Sequence, residues 1–335
     1  MLEQTFVRNF VMNHSSKQIY FINDMLHNDT QIVVPDGTQL VVFDQSYNTN
    51  FTSTQFELLK NKIVNIDYII ITSNYYYFKN KHPNIVYFPF YYFYLLNNYD
   101  VLKRYNIESL RPHKLMCLNL NPWYYRTVNF LEMSRRYWFQ DSKISFHWTY
   151  NKENFDTSNI GNDTLAVLTT DQKTHLAKFT FPIIVEEDWE LNGSYYVGNC
   201  SRLYQDTYIN YITESLTNYS FDPYINKFQE YITEKVWKAM FSGQFFYILG
   251  TPKIVEHLRD LGIDVYDDII NHSYDNEPDG VKRIQLILDD LDRLLDLNLD
   301  KVWLDTHERR KRNLDLVYSQ EFQDFLTSEL IRRIS

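Results

Sequence analysis

Short apolar runs alternate with polar connectors over the first third of the chain. Runs of this length, rich in β-branched and aromatic residues, are typical of strands, and a helical spacing between two of them indicates a crossover. The pattern predicts a parallel sheet with crossover helices. The predicted strands cover 18–22, 39–43, 68–72 and 84–88, and a predicted helix covers 54–62.

A second series of the same kind follows a polar connector over 98–112. Its predicted strands cover 114–120, 145–149, 165–169, 181–186, 244–249 and 263–266. Its predicted helices cover 127–139, 201–216, 233–242 and 252–261. Alternating strands and helices favour a second α/β half, so the fold class is α/β with two Rossmann-like halves.

The last third of the chain has a different pattern. Leu and Ile recur three and four residues apart with charge on the other face, which predicts helices over 281–297, 299–317 and 321–334. Asp289, Asp290 and Asp292 are interpreted as a solvated helix face rather than a metal site. The predicted division of the chain is 1–110, 111–300 and a helical tail over 301–335.

Length, charge and cysteine content exclude some functional classes. A chain of 335 residues can bury a substantial core. Its net charge of −10 argues against general electrostatic binding to nucleic acid. Arg135, Arg136 and the run 309–312 can still form local basic patches. Cys117 and Cys200 lack metal-ligand spacing, which favours a reducing compartment.

The start of the chain carries no basic segment followed by an apolar one, and no window reaches about 18 uninterrupted apolar residues. We therefore expect a cytoplasmic protein, in a host cytoplasm if it is viral, with no membrane span.

The segment 231–238 predicts a helix start with an unusual charge. Thr233 is a good N-cap, which places Glu234 and Lys235 at the first two helical positions. The positive end of the helix dipole disfavours a lysine there, so an anion such as a diphosphate is a more fitting partner. The alternative is that Glu234 stabilises the dipole and that Lys235 is exposed.

A strand, a loop and a helix start over 115–126 form a second candidate. Asn119, Asn121 and Arg126 would lie outside the carboxyl end of the strand, where open α/β sheets bind ligands. The arginine fork matches phosphate geometry, although an ordinary loop with a surface arginine fits equally well. Glu214 reaches the same cleft if it ends an element on that side, and is otherwise a surface carboxylate.

These segments occur together and in order, and three more follow them, at 242–246, 250–252 and 258–263. Together they resemble a family of glycosyltransferases found in phages, giant viruses and bacteria. The donor half of that family is similar to that of α1,3-fucosyltransferases, which share the Thr-Glu-Lys helix start. The resemblance covers roughly residues 114–275.

The resemblance implies a GT-B fold, in which two Rossmann-like domains face each other. The acceptor-side domain would be 1–110, the nucleotide-sugar domain 111–300, and the helices of 301–335 would pack back across both. It implies that Glu234 contacts the ribose or sugar of the donor and that Lys235 and Arg126 contact its diphosphate. The predicted donor-binding residues are Asn119, Asn121, Arg126, Glu214, Thr233, Glu234 and Lys235.

Such a transferase requires no bound metal or other cofactor, because cations and helix dipoles stabilise the leaving diphosphate. The alternative GT-A plan needs an Asp-x-Asp at a strand end to hold a metal. Its nearest candidates, 186–188 and 266–268, are more simply strand-end turns. The loop over 121–126 is less basic than in relatives, which leaves fewer cations for the phosphates.

An inverting transfer needs a general base on the acceptor side. Asp44 is the best candidate, because it follows the predicted strand 39–43, and its rivals are His14, Asp24 and His27. Tyrosines at 75–77 and 91–94 are either stacking platforms or packing residues.

We expect an enzyme that moves a sugar from a nucleotide-diphosphate sugar to a hydroxyl acceptor. The acceptor is either a glycan or a hydroxymethylated pyrimidine in phage DNA. The alternative is a non-catalytic nucleotide- or glycan-binding protein of the same fold.

Overall fold

The computed structural model describes residues 2–16, 18–23, 38–44, 68–73, 83–98, 107–119, 122–146, 164–181, 183, 185, 201–214 and 232–335. Contacts group the chain into two compact units. The first comprises Met1–Asn98, Tyr224–Thr233 and Val317–Ser335, and the second Tyr99–Pro223 and Glu234–Leu316. Each is an α/β unit around its own parallel sheet. The division predicted at 110 and 300 stays a prediction.

The first unit is built on four parallel strands in the order β1-β2-β3-β4. The apolar runs 40–42 and 69–71 are buried in β2 and β3. The four predicted strands are confirmed by β1 to β4. The predicted helix over 54–62 lies outside the described residues. The described elements are α1 (Leu2–His14), β1 (Ile19–Asn23), β2 (Gln39–Asp44), β3 (Tyr68–Thr72), β4 (Ile85–Tyr87), α2 (Phe90–Asn98) and, at the other end of the chain, α11 (Gln320–Ile334).

The aromatic run 87–94 packs in the core of the first unit. Tyr91, Tyr92 and Phe93 are buried on α2, and the Tyr92 hydroxyl donates to the carbonyl of Val317 at 2.5 Å. The Tyr92 ring also meets Phe322 of α11 edge-on at 5.5 Å. Tyr91 and Tyr92 are therefore packing residues rather than stacking platforms, and the side chain of Tyr94 lies outside the described ones. The cluster 75–77 lies outside the described residues.

The second unit is built on four parallel strands in the order β6-β5-β7-β8. Its strands are β5 (His113–Asn119), β6 (Lys143–Phe146), β7 (Thr207–Thr213) and β8 (Phe245–Leu249). Its α-helices of seven residues or more, with the six-residue α5, are α3 (Tyr124–Met133), α4 (Thr170–Leu176), α5 (Ser201–Asp206), α6 (Glu234–Phe241), α7 (Ile254–Asp260), α8 (Gly280–Leu295), α9 (Leu299–Asp305) and α10 (His307–Tyr318). The last two residues of α10 are grouped with the first unit.

The predicted helix over 201–216 is confirmed over 201–206 and wrong over 207–214, and residues 215–216 lie outside the described ones. Residues 207–213 form β7, which lies between β5 and β8, and every one of them is buried. A strand buried on both faces loses the alternation of apolar and polar residues, so β-branched and aromatic content is the only local signal left.

Two predicted strands of the second unit, 165–169 and 263–266, are wrong, and a third, 181–186, is described only at 181, 183 and 185. Residues 164–167 are helical, and Thr169 caps α4 through a reciprocal capping box with Gln172. Within 181–186, Ile183 makes an isolated bridge to Phe146. Residues 263–266 pair with no described strand, because the side-chain amide of Asn313 bonds the backbone N–H and carbonyl of Asp264 at 2.9 and 2.7 Å.

The acidic face predicted on α8 is only partly solvated. Asp290 is buried and accepts hydrogen bonds from the Tyr247 hydroxyl and the backbone of Asn271. Asp289 and Asp292 pair with Arg136. These carboxylates therefore anchor α8 to the rest of the second unit.

The predicted basic patches are largely neutralised within the chain. Arg135 pairs with Glu132 at 2.6 Å and Asp171 at 3.0 Å, and Arg309 pairs with Asp264 at 2.6 Å. Arg310 is fully buried, and burial lowers its pKa to about 10. These guanidinium groups are structural contacts of the second unit.

Trp303 on α9 is the centre of the packing around these helices. It is fully buried, with the guanidinium carbons of Arg111 and Arg310 at 4.1 and 3.3 Å from its ring. We expect Trp303→Ala to lower the free energy of unfolding by about 3–5 kcal/mol, because it leaves a large cavity. Urea unfolding measures this, and the neighbouring exposed Leu304→Ala is the matched control, with a change within about 0.5 kcal/mol. Equal effects for the two variants would contradict this role.

Candidate functional site

The order of the second sheet reverses between β5 and β7. The chain passes from β5 to β6 on one side and then returns to place β7 on the other. Open α/β sheets bind ligands at such a switch point, outside the carboxyl ends of the strands. Asn119 is the last residue of β5, and Glu214 directly follows β7. Both predicted residues therefore lie at the switch point.

Asn119 is buried and joins three strands at this edge. Its Oδ1 accepts from the Thr213 hydroxyl at 2.5 Å, and its Nδ2 donates to the Cys117 thiol at 3.2 Å. Its backbone N–H donates to the Ser145 hydroxyl of β6 at 3.2 Å. Its predicted contact with a donor stays a prediction, and Asn121 lies outside the described residues.

Arg126 lies in the first turn of α3 and is only 3% exposed. Its Nη2 donates to the carbonyl of Thr213 at 3.0 Å, and its Nε has no hydrogen-bond partner among the described residues. The helix starts after Trp123, which makes no side-chain cap, and its first turn holds no acidic residue. The surface-arginine alternative is therefore wrong: this is a buried cation at an electropositive helix start.

The predicted helix start at Thr233 is confirmed, because α6 begins at Glu234. The Lys235 ammonium lies 3.0 Å from Glu234 Oε1 and 3.5 Å from Glu214 Oε2. Glu214 is 1% exposed, whereas about a quarter of the Lys235 side chain reaches solvent. Lys235 therefore pairs with two carboxylates at the switch point and is more exposed than Glu214. Glu214 is not a surface residue.

Glu234 and Lys235 hold each other in their charged forms. Burial alone would raise the pKa of Glu234, but the charges of Lys235 and Lys238 outweigh it and keep that pKa below its usual value. Burial would lower the pKa of Lys235, but Glu234 and Glu214 keep it above its usual value. At neutral pH the site therefore holds an ammonium group that is paired with carboxylates.

The backbone of Glu214 is fixed by neighbours to which the sequence analysis assigned no role. Its N–H donates to the carbonyl of Leu249 at 2.9 Å, and its carbonyl accepts from the Tyr125 hydroxyl. Gly250 packs against its side chain, and Arg283 of α8 donates to the carbonyl of Gly250. Tyr125 and Gly250 lie in segments that carry the resemblance, but neither had an assigned role, and nothing local marks Arg283, 33 residues beyond Gly250.

We expect Gly250→Ala to disturb this site. The added Cβ would lie 2.6 Å from Ile254 Cδ1 and 3.3 Å from Glu214 Cγ, and overpacking of this kind costs about 1–3 kcal/mol. Thermal unfolding measures the loss. Adding Ile254→Val removes the closest clashing atom and should restore part of the stability. If the single variant is as stable as the wild type, Gly250 is not the constraint we describe.

The predicted catalytic base belongs to the first unit. Asp44 is the last residue of β2 and pairs in register with Thr72, at the carboxyl edge of that sheet. Its rival His14 is exposed at the end of α1, where Nδ1 lies 2.8 Å from the carbonyl of Phe10. The other rivals, Asp24 and His27, lie outside the described residues.

The acidic residues considered for a GT-A metal site either form ion pairs with arginines or lie outside the described residues. Asp267 pairs with Arg259 and Asp268 with Arg309, and 186–188 lies outside the described residues. Within the described ranges, no group of three His, Cys, Asp or Glu side chains is arranged to hold a metal ion. None of the helices described is long and apolar enough to cross a membrane.

Comparison with known proteins gives no match, whether with family models, curated proteins or solved structures.

Proposed function

We propose that the protein is a glycosyltransferase of GT-B architecture that moves a sugar from a nucleotide-diphosphate sugar to a hydroxyl acceptor. The observation that carries this proposal is the placement of two cations at the switch point of the second sheet. Arg126 and Lys235 come from the starts of two different helices, and each lies beside the end of β7. Paired cations at helix starts are suited to a diphosphate.

The same groups suit the chemistry of sugar transfer. Cleavage of the bond between sugar and diphosphate leaves negative charge on the leaving group, and preorganised cations with helix N–H groups stabilise that charge. Glu234, beside Lys235, can accept hydrogen bonds from the hydroxyls of ribose or sugar. The transfer then needs no metal ion, since the chain itself supplies the positive charge.

A glycan is the acceptor that the charge distribution favours. Binding to duplex DNA rests on Lys and Arg contacts with phosphates, whereas Arg135, Arg136 and Arg309 are engaged with carboxylates of the chain. A hydroxymethylated pyrimidine is the second candidate. Tight, salt-sensitive binding to duplex DNA would favour it over a glycan.

A thermal-shift screen of nucleotide sugars tests the proposal. The panel contains UDP-, GDP- and other nucleotide sugars, with the matching nucleosides as controls that lack the diphosphate. A ligand at 100 times its Kd adds about 2.7 kcal/mol to the free energy of unfolding. We expect stabilisation by at least one nucleotide sugar and none by its nucleoside. If no nucleotide sugar is bound, the proposal fails, and binding without transfer or hydrolysis would favour a non-catalytic binding protein.

A further inference from the structure

Glu214 is the most deeply buried charged group at the switch point. Its side chain is 1% exposed, and its Oε2 lies 3.5 Å from the Lys235 ammonium. Gly250 packs against the Cβ and Cγ of Glu214. The backbone of Glu214 is hydrogen-bonded to Leu249 and to the Tyr125 hydroxyl, so the residue is held in place. A ligand entering from solvent would reach Lys235 before it reached this carboxylate.

The surroundings of Glu214 explain why a charge is kept there. Arg126 bonds the carbonyl of Thr213, the residue before Glu214, and its charge acts on Lys235. The two positive charges repel each other, and both side chains are largely removed from solvent. The Glu214 carboxylate, between the end of β7 and the start of α6, compensates the positive charges of Arg126 and Lys235 before an anion binds.

We infer that Glu214 is a positioning residue that serves as the counter-ion of Lys235. It holds the ammonium group at the sheet edge before a ligand binds, and its own negative charge opposes an incoming phosphate. The identity of the ligand in this inference rests on the proposed function, whereas the pairing of Glu214 with Lys235 does not. Glu214 then differs from Glu234, whose place at the helix start suits a contact with the ligand.

The test uses the full chain and the variants Glu214→Gln, Lys235→Met and their combination. Glutamine keeps the shape of the side chain and removes its charge. We first measure urea unfolding without ligand, where the two single substitutions should destabilise the protein non-additively, because each removes the same ion pair. We then measure the binding of inorganic pyrophosphate by calorimetry.

We expect Glu214→Gln to bind pyrophosphate about three- to tenfold more tightly than the wild type, because a negative charge near the anion is gone. The matched control is Asp290→Asn, which removes another buried carboxylate, one that bonds Tyr247, and should leave pyrophosphate affinity unchanged. A merely structural role for Glu214 would not increase affinity.

The remaining outcomes separate this inference from the proposed function. Weaker or unchanged binding in Glu214→Gln, with normal binding in the wild type, overturns the counter-ion role alone. Additive effects on unfolding overturn it as well. If pyrophosphate binds neither the wild type nor Glu214→Gln, the anion site itself fails, and the proposed function fails with it. Binding gained only in Glu214→Gln supports the counter-ion role.

Discussion

Lys235→Met is expected to lower the affinity for a nucleotide-diphosphate sugar by about 100- to 1000-fold. The loss of a partly buried charged partner costs about 2–5 kcal/mol, and here it would also leave Glu214 and Glu234 facing the phosphates without compensation. Calorimetric titration of the nucleotide sugar found in the screen measures this effect, and sugar transfer should fall by at least as much.

The matched control is Lys301→Met on α9. Lys301 is exposed and pairs with Asp305 in the next turn of its own helix, so its loss should leave affinity within about twofold. Far-ultraviolet circular dichroism of both variants establishes that they fold. Equal affinities for Lys235→Met and Lys301→Met would show that the ammonium group of Lys235 does not bind the donor.

Asp44→Asn is expected to lower the rate of sugar transfer by about 100- to 10,000-fold and to leave donor affinity unchanged. A general base takes the acceptor proton during the transfer and contributes nothing to binding of the diphosphate. The last position of β2, at the carboxyl edge of the first sheet, suits this role. Initial rates with saturating donor, together with the donor Kd, separate the two effects.

The rival bases provide the comparison for Asp44. The variants His14→Gln, Asp24→Asn and His27→Gln should retain transfer within a few fold. If one of them loses transfer while Asp44→Asn keeps it, the base is that residue. If Asp44→Asn loses donor affinity as well, its role is structural or lies in binding.

The sheets show what the sequence could predict and what it could not. The strands of the first unit were predicted because each is a short apolar run between polar segments. β7 was missed because burial on both faces removes the alternation that identifies a strand. Residues 263–266 have the composition of a strand, but the amide that bonds Asp264 comes from Asn313, 49 residues later. Local patterns carry no information about such a partner.

Parts of the candidate site could likewise be predicted from the sequence, and other parts could not. The sequence predicted the helix start at Lys235 and placed Arg126 near a sheet edge, and both are confirmed. The anion inferred from the charge of Lys235 stays a prediction. The burial of Glu214 beneath Lys235 depends on the pairing of β7 with β8 and on a glycine at position 250. Arg283 comes from a helix 33 residues beyond Gly250. Tertiary packing, rather than any motif, assembles these groups.

A crystal structure of the protein with the tightest-binding nucleotide sugar tests the central claim most directly. We predict that the diphosphate lies at the carboxyl ends of β5 and β7, within hydrogen-bond distance of Lys235 Nζ and the Arg126 guanidinium. A diphosphate bound elsewhere, with Lys235 still closed over Glu214 and Glu234, would contradict it.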